Sequence, residues 1–395
     1  MKRQFKLITV LSTVLCLSVL LTGCWDLIEI EQYFFISTMG IDVYKGEAHV
    51  VDEAEKESEE NRLTEKDRFI ITYVSPDLRA IGKNATSENP RIIMASVSNN
   101  PYETTKELAT RTNRNFTFRH TKVVLLGEEV ARNREYMIEI FDNLGRHEQL
   151  SRKLNVLVAK GTAKEIINIE APYEPVTGYL INQIMSKKQS SSRYNDMVLE
   201  EILTELYFSG NVLIPRAIAG GGEVKVAGSG IIKNYELIGW LGEIENISAM
   251  FLMDRVNTVV LNVEHENAIL PYVITNSRTK PRVTVEDGKI RYTVNIDTDG
   301  YIQQYKLGAE EKLTEQKTIS HIEQKLEDVL AKQIRSTFEK LQKEFKVDVL
   351  GVGRYISKHN PKLWEEVKDN WEEIFTNIEF EVNVDAKLRR IGMTK

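Results

Sequence analysis

Between residues 319 and 345, Ile319, Ile322, Leu326, Val329, Leu330, Ile334, Phe338, Leu341 and Phe345 recur at spacings of three and four. That period lines one face of an α-helix, and about 30 residues of it make a rod roughly 45 Å long. A continuous apolar stripe on such a rod needs a partner surface of similar length. The flanking sequence supplies one. Upstream, RVTVEDGKIRYTVNIDT places Asp287-Gly288 between two alternating runs, a strong hairpin signal. Downstream, IEFEVNVDAKLRRI alternates at Ile378, Phe380, Val382, Val384, Ala386 and Leu388. The pattern predicts a twisted antiparallel sheet with the long helix across one face, an α+β arrangement that buries both stripes.

The preceding sequence also mixes strands and helices. YFFISTMGIDVY (Tyr33 to Tyr44) reads as strand and turn, and RFIITYV and RIIMASVS read as strands. Tyr102 to Thr112 is helical in composition. TKVVLLGEEVA gives a buried strand entering a helix, Ile138, Phe141 and Leu144 mark a helical face, and KLNVLVAKG is a strand ending in glycine. Asp52 to Asp67 is strongly charged with almost nothing to bury, the composition of a solvated loop or insertion. The polar stretch Ser186 to Asp196 and the AGGGE of Ala219 to Glu223 are candidate boundaries. A Leu- and Ile-rich helix lies between them, at Met197 to Tyr207, and VKVAGSGIIKNYELIGWL reads as a hairpin turning at Lys233 to Glu236. The expectation is three mixed α/β domains with largely antiparallel sheets, at 24–192, 193–275 and 276–395, after a leader at 1–23. The last domain is the twisted sheet packed against the long helix.

The leader carries Lys2, Arg3 and Lys6 without an acid, followed by Leu7 to Leu21 without a charge. A basic start and a short apolar core mark a secretory signal, and fifteen residues fall short of the roughly 20 that span a bilayer. The core closes on Leu21-Thr22-Gly23-Cys24, the lipobox pattern of bacterial lipoproteins. A thiolate suits alkylation by a lipid donor, and two acyl chains are about the minimum for stable anchoring. The expectation is cleavage after Gly23, with an N-palmitoyl and S-diacylglycerol Cys24 as tether. An uncleaved anchor with an incidental cysteine is the bland alternative.

Removing residues 1–23 also removes Cys16 and lowers the formal net charge from −6 to −9. The remaining chain has no thiol besides Cys24, which fits an exported protein without a disulfide framework. Its acidic balance argues against nucleic acid, whose binding rests on neutralising phosphates. The six histidines, His49, His120, His147, His265, His321 and His359, match no metal-ligand spacing. In a strand, Glu264, His265 and Glu266 cannot all face one ion. AGGGEVKVAGSG matches no phosphate-binding fingerprint and reads as turn glycine. TRTNRNFTFRHTK mixes Arg111, Arg114, Arg119 and Lys122 with Phe116 and Phe118. In an acidic exported chain it reads as a structural arginine cluster, suited to lipid head groups more than to nucleic acid. Glu200 and Glu201 are adjacent on a helix, diverge, and read as a solvated face. No catalytic set, cofactor site or metal site emerges.

Several segments together resemble one family, the Ger(x)C lipoproteins, the C subunits of spore germinant receptors. They are LTGCWDLIEIEQ with GID at Gly40 to Asp42, RHTKVVLLGEEVAR, KLNVLVAKG, SGIIKNYELIGWL, VDVLGVGRYISKHNPKLWEEVKDNWEEIF, and the closing LRRIG. DVLGVGRYISKHNPKLW is the most specific, whereas a lipobox is common to many lipoproteins; the acidic stretch 52–67 departs from the pattern. The resemblance implies a three-domain α+β protein without known catalysis. It also implies a place on the outer surface of the spore inner membrane, beside two integral membrane subunits of A and B type.

Two other classes compete. A solute-binding lipoprotein of a membrane transporter also has a lipobox and an acidic body, but builds two lobes from repeated βα units. An anchored hydrolase would need a nucleophile with a base, paired acids or a metal set. A receptor subunit working through protein–protein contacts, with no enzyme activity, fits the sequence better.

Overall fold

The computed structural model describes residues 29–46, 68–80, 88–98, 103–187, 192–265, 268–303 and 315–391, and in isolation Gln4. The leader, Cys24 and the acidic stretch 52–67 lie outside the described residues. The strands are β1 (Tyr33–Phe35), β2 (Thr38–Val43), β3 (Phe69–Pro76), β4 (Arg91–Ser98), β5 (Asn115–Thr117), β6 (Val123–Leu126), β7 (Asn155–Ala159), β8 (Val212–Gly220), β9 (Glu223–Lys233), β10 (Glu236–Leu241), β11 (Val259–His265), β12 (Ala268–Glu286), β13 (Lys289–Ile302) and β14 (Glu379–Ile391). The helices are α1 (Glu103–Leu108), α2 (Glu128–Ala131), α3 (Arg134–Arg146), α4 (Ala163–Asn168), α5 (Thr177–Ser186), α6 (Leu199–Ser209), α7 (Glu243–Leu252), α8 (Gln316–Glu339), α9 (Val352–His359), α10 (Pro361–Val367) and α11 (Trp371–Asn377). The molecule is α+β as expected, with both helix and strand throughout.

Eight strands form one sheet in the order β10-β9-β8-β7-β6-β2-β3-β4. Its centre, β8-β7-β6-β2, is parallel, and antiparallel pairs flank it on both sides. Parallel strands covered on both faces read as unbroken apolar runs, which is what VVLL and the VLVA of residues 156–159 are. Alternate residues feed two cores. Val124, Leu126, Val156 and Val158 pack with Met137, Ile140, Phe141 and Leu144 of α3 and Ile202, Leu203 and Leu206 of α6. Val123, Leu125, Leu157 and Ala159 pack with Ala163, Ile166 and Ile167 of α4 and Ile181 and Met185 of α5. On α3, Ile138 stays 37% exposed, and Met137 and Ile140 bury in its place.

The GID segment joins sheet to helix. Gly40 leaves room for Ile167, whose Cδ1 would lie 2.5 Å from an added Cβ. Asp42 accepts backbone N–H bonds from Ala163 and Lys164 at 2.7 and 3.0 Å, capping the start of α4. Burial pushes the Asp42 carboxyl upward, and these two bonds pull against that rise. At the other end of α4, the buried Arg91 guanidinium donates to the carbonyls of Ile167, Asn168, Ile169 and Pro175. Its charge suits a helix C-terminus.

The second sheet has the order β11-β12-β13-β14. Asp287-Gly288 forms the expected two-residue turn, with φ of +51° and +77°, left-handed values that fit a type I′ hairpin. The expected antiparallel sheet is corrected at one pair: β14 runs parallel to β13, with Val294 opposite Val382 and Ile296 opposite Val384. Side-chain alternation carries no strand direction. A parallel return requires a crossover, and α8 with the helices after it is that crossover. The buried spine of α8 is Ile322, Leu326, Leu330, Ile334 and Phe338, a strict fourfold spacing, with Val329 and Ile319 only half-buried. A fourfold row slants around the helix by about 40° per step, as a rod does when it crosses a twisted sheet. Glu327 and Glu323 accept N–H bonds from Ala386 and Leu388 at 3.0 and 2.8 Å, so α8 also shields the free edge of β14.

Helix α7 was not anticipated. Asn246, Ser248, Ala249, Met250, Phe251 and Leu252 are all buried, because α7 sits between the two sheets. Its core also holds Leu213, Ile231 and Leu241 of the first sheet, Tyr272 and Tyr292 of the second, and the α8 spine. Phe338 stacks on Phe380 at 3.8 Å and packs against Phe375 at 5.7 Å. Phe338→Ala should lower stability by roughly 3–5 kcal/mol, while Lys332→Ala and Glu339→Ala, on the exposed face, should be nearly neutral. Urea unfolding of the purified variants checks this; coincident midpoints for Phe338→Ala and the parent chain would contradict the packing.

Candidate functional site at the helical cap

The segment DVLGVGRYISKHNPKLW folds as a cap of short helices, α9 to α11, and it is organised around one carboxylate. Asp348 accepts N–H bonds from Leu350, Gly351, Val352 and Gly353 at 3.2, 2.9, 3.1 and 2.7 Å, and from Trp371 Nε1 at 3.1 Å. These bonds satisfy donors at the start of α9 that have no partner within the helix. Burial pushes the Asp348 carboxyl above the ordinary range, opposed by the bonds from Gly353, Val352, Trp371 and Gly351. Gly353 lies against Trp371: an added Cβ would fall 2.7 Å from Nε1 and 3.0 Å from Trp364 Cζ3. Asn360 Oδ1 accepts the Leu363 N–H at 3.2 Å, and Pro361 opens α10 at the position where its missing N–H costs nothing. The glycines, proline and tryptophans of the motif are therefore one interlocked piece.

Between this cap and α6 lies a cleft of about 310 Å³, lined by Glu205, Phe208, Asp348, Arg354, Trp364 and Trp371 among others. Phe208 stacks on Trp364 at 5.8 Å, and Trp364 meets Trp371 edge-on at 5.5 Å. Arg354 is ion-paired with Glu205, and its guanidinium lies 5.8 Å from the Phe208 ring centre. Burial raises the Glu205 carboxyl, while Arg354 holds it down. At the cleft, Lys233 pairs with the lining residue Glu372. Phe208 stays 41% exposed in the cleft, and its neighbour on α6, Tyr207, is 70% exposed. Asp348, Glu205 and Arg354 are all engaged in structural bonds.

The sequence-derived candidates fall elsewhere. Cys24 and Gly23 lie outside the described residues. Glu264 and His265 point to opposite faces of β11, Glu264 exposed and His265 buried, with the His265 ring 5.6 Å from that of His321. Among the described residues, no group of three or more His, Cys, Asp or Glu could hold a metal ion. The glycines of AGGGE form the β8–β9 turn, Gly221 and Gly222 having positive φ. Glu200 is exposed on the helix surface as read. Glu201 does more: it caps α6 by accepting the Val198 N–H at 3.1 Å and pairs with Arg255 at 2.6 Å.

Residues 26–218 match the spore germination protein N-terminal domain, and residues 227–392 match the spore germination B3/GerAC-like C-terminal domain. The chain belongs to the GerAC-like family of spore germination proteins. Among curated relatives it is similar to spore germination protein YndF of Bacillus subtilis (strain 168), 24% identical with 100% of this chain and 98% of that protein covered. Spore germination proteins B3 and KC of the same organism are each 23% identical, covering 94% and 97% of this chain and 95% and 96% of theirs. The crystal structure of the GerBC protein superposes with a TM-score of 0.60 over 92% of this chain and all of that one, at 19% identity, which shows a shared fold. The cap motif thus sits inside the C-terminal germination domain, and the parallel centre of the first sheet inside the N-terminal one.

Asp348→Ala should strand several buried donors and cost on the order of 3 kcal/mol, and Gly353→Ala should cost about 1–3 kcal/mol by overpacking against Trp371. Urea unfolding followed by tryptophan emission checks both; wild-type midpoints would contradict the capping role of Asp348.

Proposed function

We propose that this chain is the lipid-anchored, extracytoplasmic subunit of a nutrient germinant receptor, required for germination through protein–protein contacts and without catalysis of its own. The observation that carries the reading is membership of the germination family across residues 26–218 and 227–392. The lipobox at Leu21 to Cys24 supports a diacylated Cys24 after cleavage at Gly23, holding the body on the outer surface of the spore inner membrane. Two integral membrane subunits, of A and B type, are the partners this reading supplies. The engaged Asp348, Glu205 and Arg354 of the cap cleft, with the exposed Tyr207 beside it on α6, support contact as the mode of action. The transporter reading is not favoured: both family matches are to germination proteins, and the second sheet with its long helix departs from a repeated βα lobe.

Cys24→Ala should block lipid attachment and leave the leader uncleaved, since no other residue supplies a sulfur at that site. Mass spectrometry of the wild-type N-terminus should find a diacylated Cys24; an unmodified chain starting elsewhere would contradict the anchor. Spores lacking the gene should lose the response of one receptor while others still work. The purified chain, titrated calorimetrically with amino acids and sugars, should show no saturable site; a micromolar site would restore the solute-binding reading.

A further inference from the structure

The chain enters the body at one place. Only residues 25–28 separate Cys24 from Glu29, so these two Cα atoms lie at most about 18 Å apart. A membrane that holds the Cys24 lipid is therefore within that reach of the chain leading into β1. Strand β1 pairs in parallel with β5, Phe34 opposite Phe116, and Ile36 N–H donates to the Thr117 carbonyl at 3.0 Å. That strand belongs to TRTNRNFTFRHTK, whose aromatic residues turn inward: Phe116 meets Phe34 at 5.2 Å and Phe118 meets Tyr73 at 5.9 Å. Its basic residues stay outside, Arg119 and His120 exposed and Arg114 and Lys122 half-buried. The His120 ring meets Phe35 edge-on at 5.2 Å, placing it beside the entering strand.

The same rim continues along the amino ends of β2, β6 and β7. Lys122 N–H donates to the Ser37 carbonyl, and Asn155 N–H donates to the Lys122 carbonyl, both at 2.9 Å. This brings the exposed Arg152 and Lys153 alongside. Arg152 lies 3.8 Å from Glu200, Arg111 pairs with Glu107, and Glu148 is the acid of the neighbouring turn. Arg114, Arg119, Lys122 and Lys153 make no ion pair with any of the described residues. At the opposite ends of β2 and β6 stand Asp42, Glu128 and Glu129. Cations without an ion pair among the described residues thus collect beside the entering chain, which itself brings the exposed Glu29, on a protein whose formal net charge is −6.

We propose that this rim, centred on Arg114, Arg119, His120 and Lys122, docks onto anionic phospholipid headgroups and fixes the orientation of the anchored body. The inference rests on the reading that Cys24 carries the lipid: the lipid sets the distance and the rim sets the angle. Without such a patch an acidic body is repelled by an anionic bilayer. The attraction acts over about a Debye length, near 8 Å at physiological salt, a range the short tether can deliver.

The test uses the full lipidated chain. Because Cys16 leaves with the leader and Cys24 is acylated, Asn113→Cys, an exposed position on the rim, gives a single thiol for a donor dye. The protein is anchored in vesicles carrying headgroup acceptors, made of phosphatidylcholine alone or with phosphatidylglycerol. Energy transfer should rise when phosphatidylglycerol is present and fall back at high salt. Adding Arg114→Gln, Arg119→Gln and Lys122→Gln should abolish the rise while the chain still floats with both vesicle types and keeps its circular dichroism. Transfer independent of phosphatidylglycerol in the chain with a native rim, or an unchanged rise in the triple variant, would overturn the docking. Should the triple variant misfold, the salt dependence with the native rim decides alone. A chain that fails to float even with neutral vesicles would overturn the anchor reading, and this one with it.

Discussion

Helix α7 lets two sheets share one core. From Ser248 to Leu252 it is buried on every side, between Leu213, Ile231 and Leu241 of the first sheet and the spine of α8 on the second. Burying side chains such as Met250, Phe251 and Leu252 stabilises by about 1.5–3 kcal/mol each. Its buried polar groups are matched: Asn246 bonds Ser229 Oγ at 2.6 Å and Thr279 Oγ1 donates to the Phe251 carbonyl at 2.6 Å. With that spacing set, secondary braces can form across the junction. Lys340 reaches Glu245, Phe345 lies over Gly239, and Arg354 reaches Glu205. Exposed pairs contribute little alone; here they fix alignment after apolar burial has brought the parts together.

The cap depends on that alignment. Asp348 and Trp371 hold α9 and α11 together from within, and Gln342 Nε2 donates to the carbonyls of Phe375 and Ile378 at 2.9 and 2.8 Å, tying the end of the long helix to the start of β14. The most specific motif in the sequence is therefore internal architecture. It presents a shaped outer surface, with Trp364 and Arg354 meeting Phe208 of α6, without exposing a reactive group.

Much of this was legible in the sequence wherever one face of an element meets water. The α8 stripe, the Asp287-Gly288 turn and the alternation of β14 each left a period to read. Helix α7 left none, because its second half, Ser248 to Leu252, is buried on every side, while exposed Ile244 and buried Asn246 run against an amphipathic pattern. The direction of β14 was hidden because alternation is the same forwards and backwards. Helices α9 to α11 are too short for a period to register, and their organiser, Asp348, is a single acid whose role depends on four amides that follow it. The cleft joins Glu205 to Arg354 across 149 positions of chain, a pairing that no local pattern announces. The lipobox is the reverse case: Cys24 rests on local sequence alone and lies outside the described residues.

The family match, the interlocked cap and the lipobox point to one account: a tethered body that serves a germinant receptor by contact. Its most direct test is the composition of the complex in spores. A tagged chain extracted from the spore inner membrane in mild detergent should bring with it two integral membrane proteins of the A and B receptor classes, identified by mass spectrometry. Recovery with a transporter permease and its ATPase, or of the chain alone under conditions that keep other receptors intact, would contradict the account.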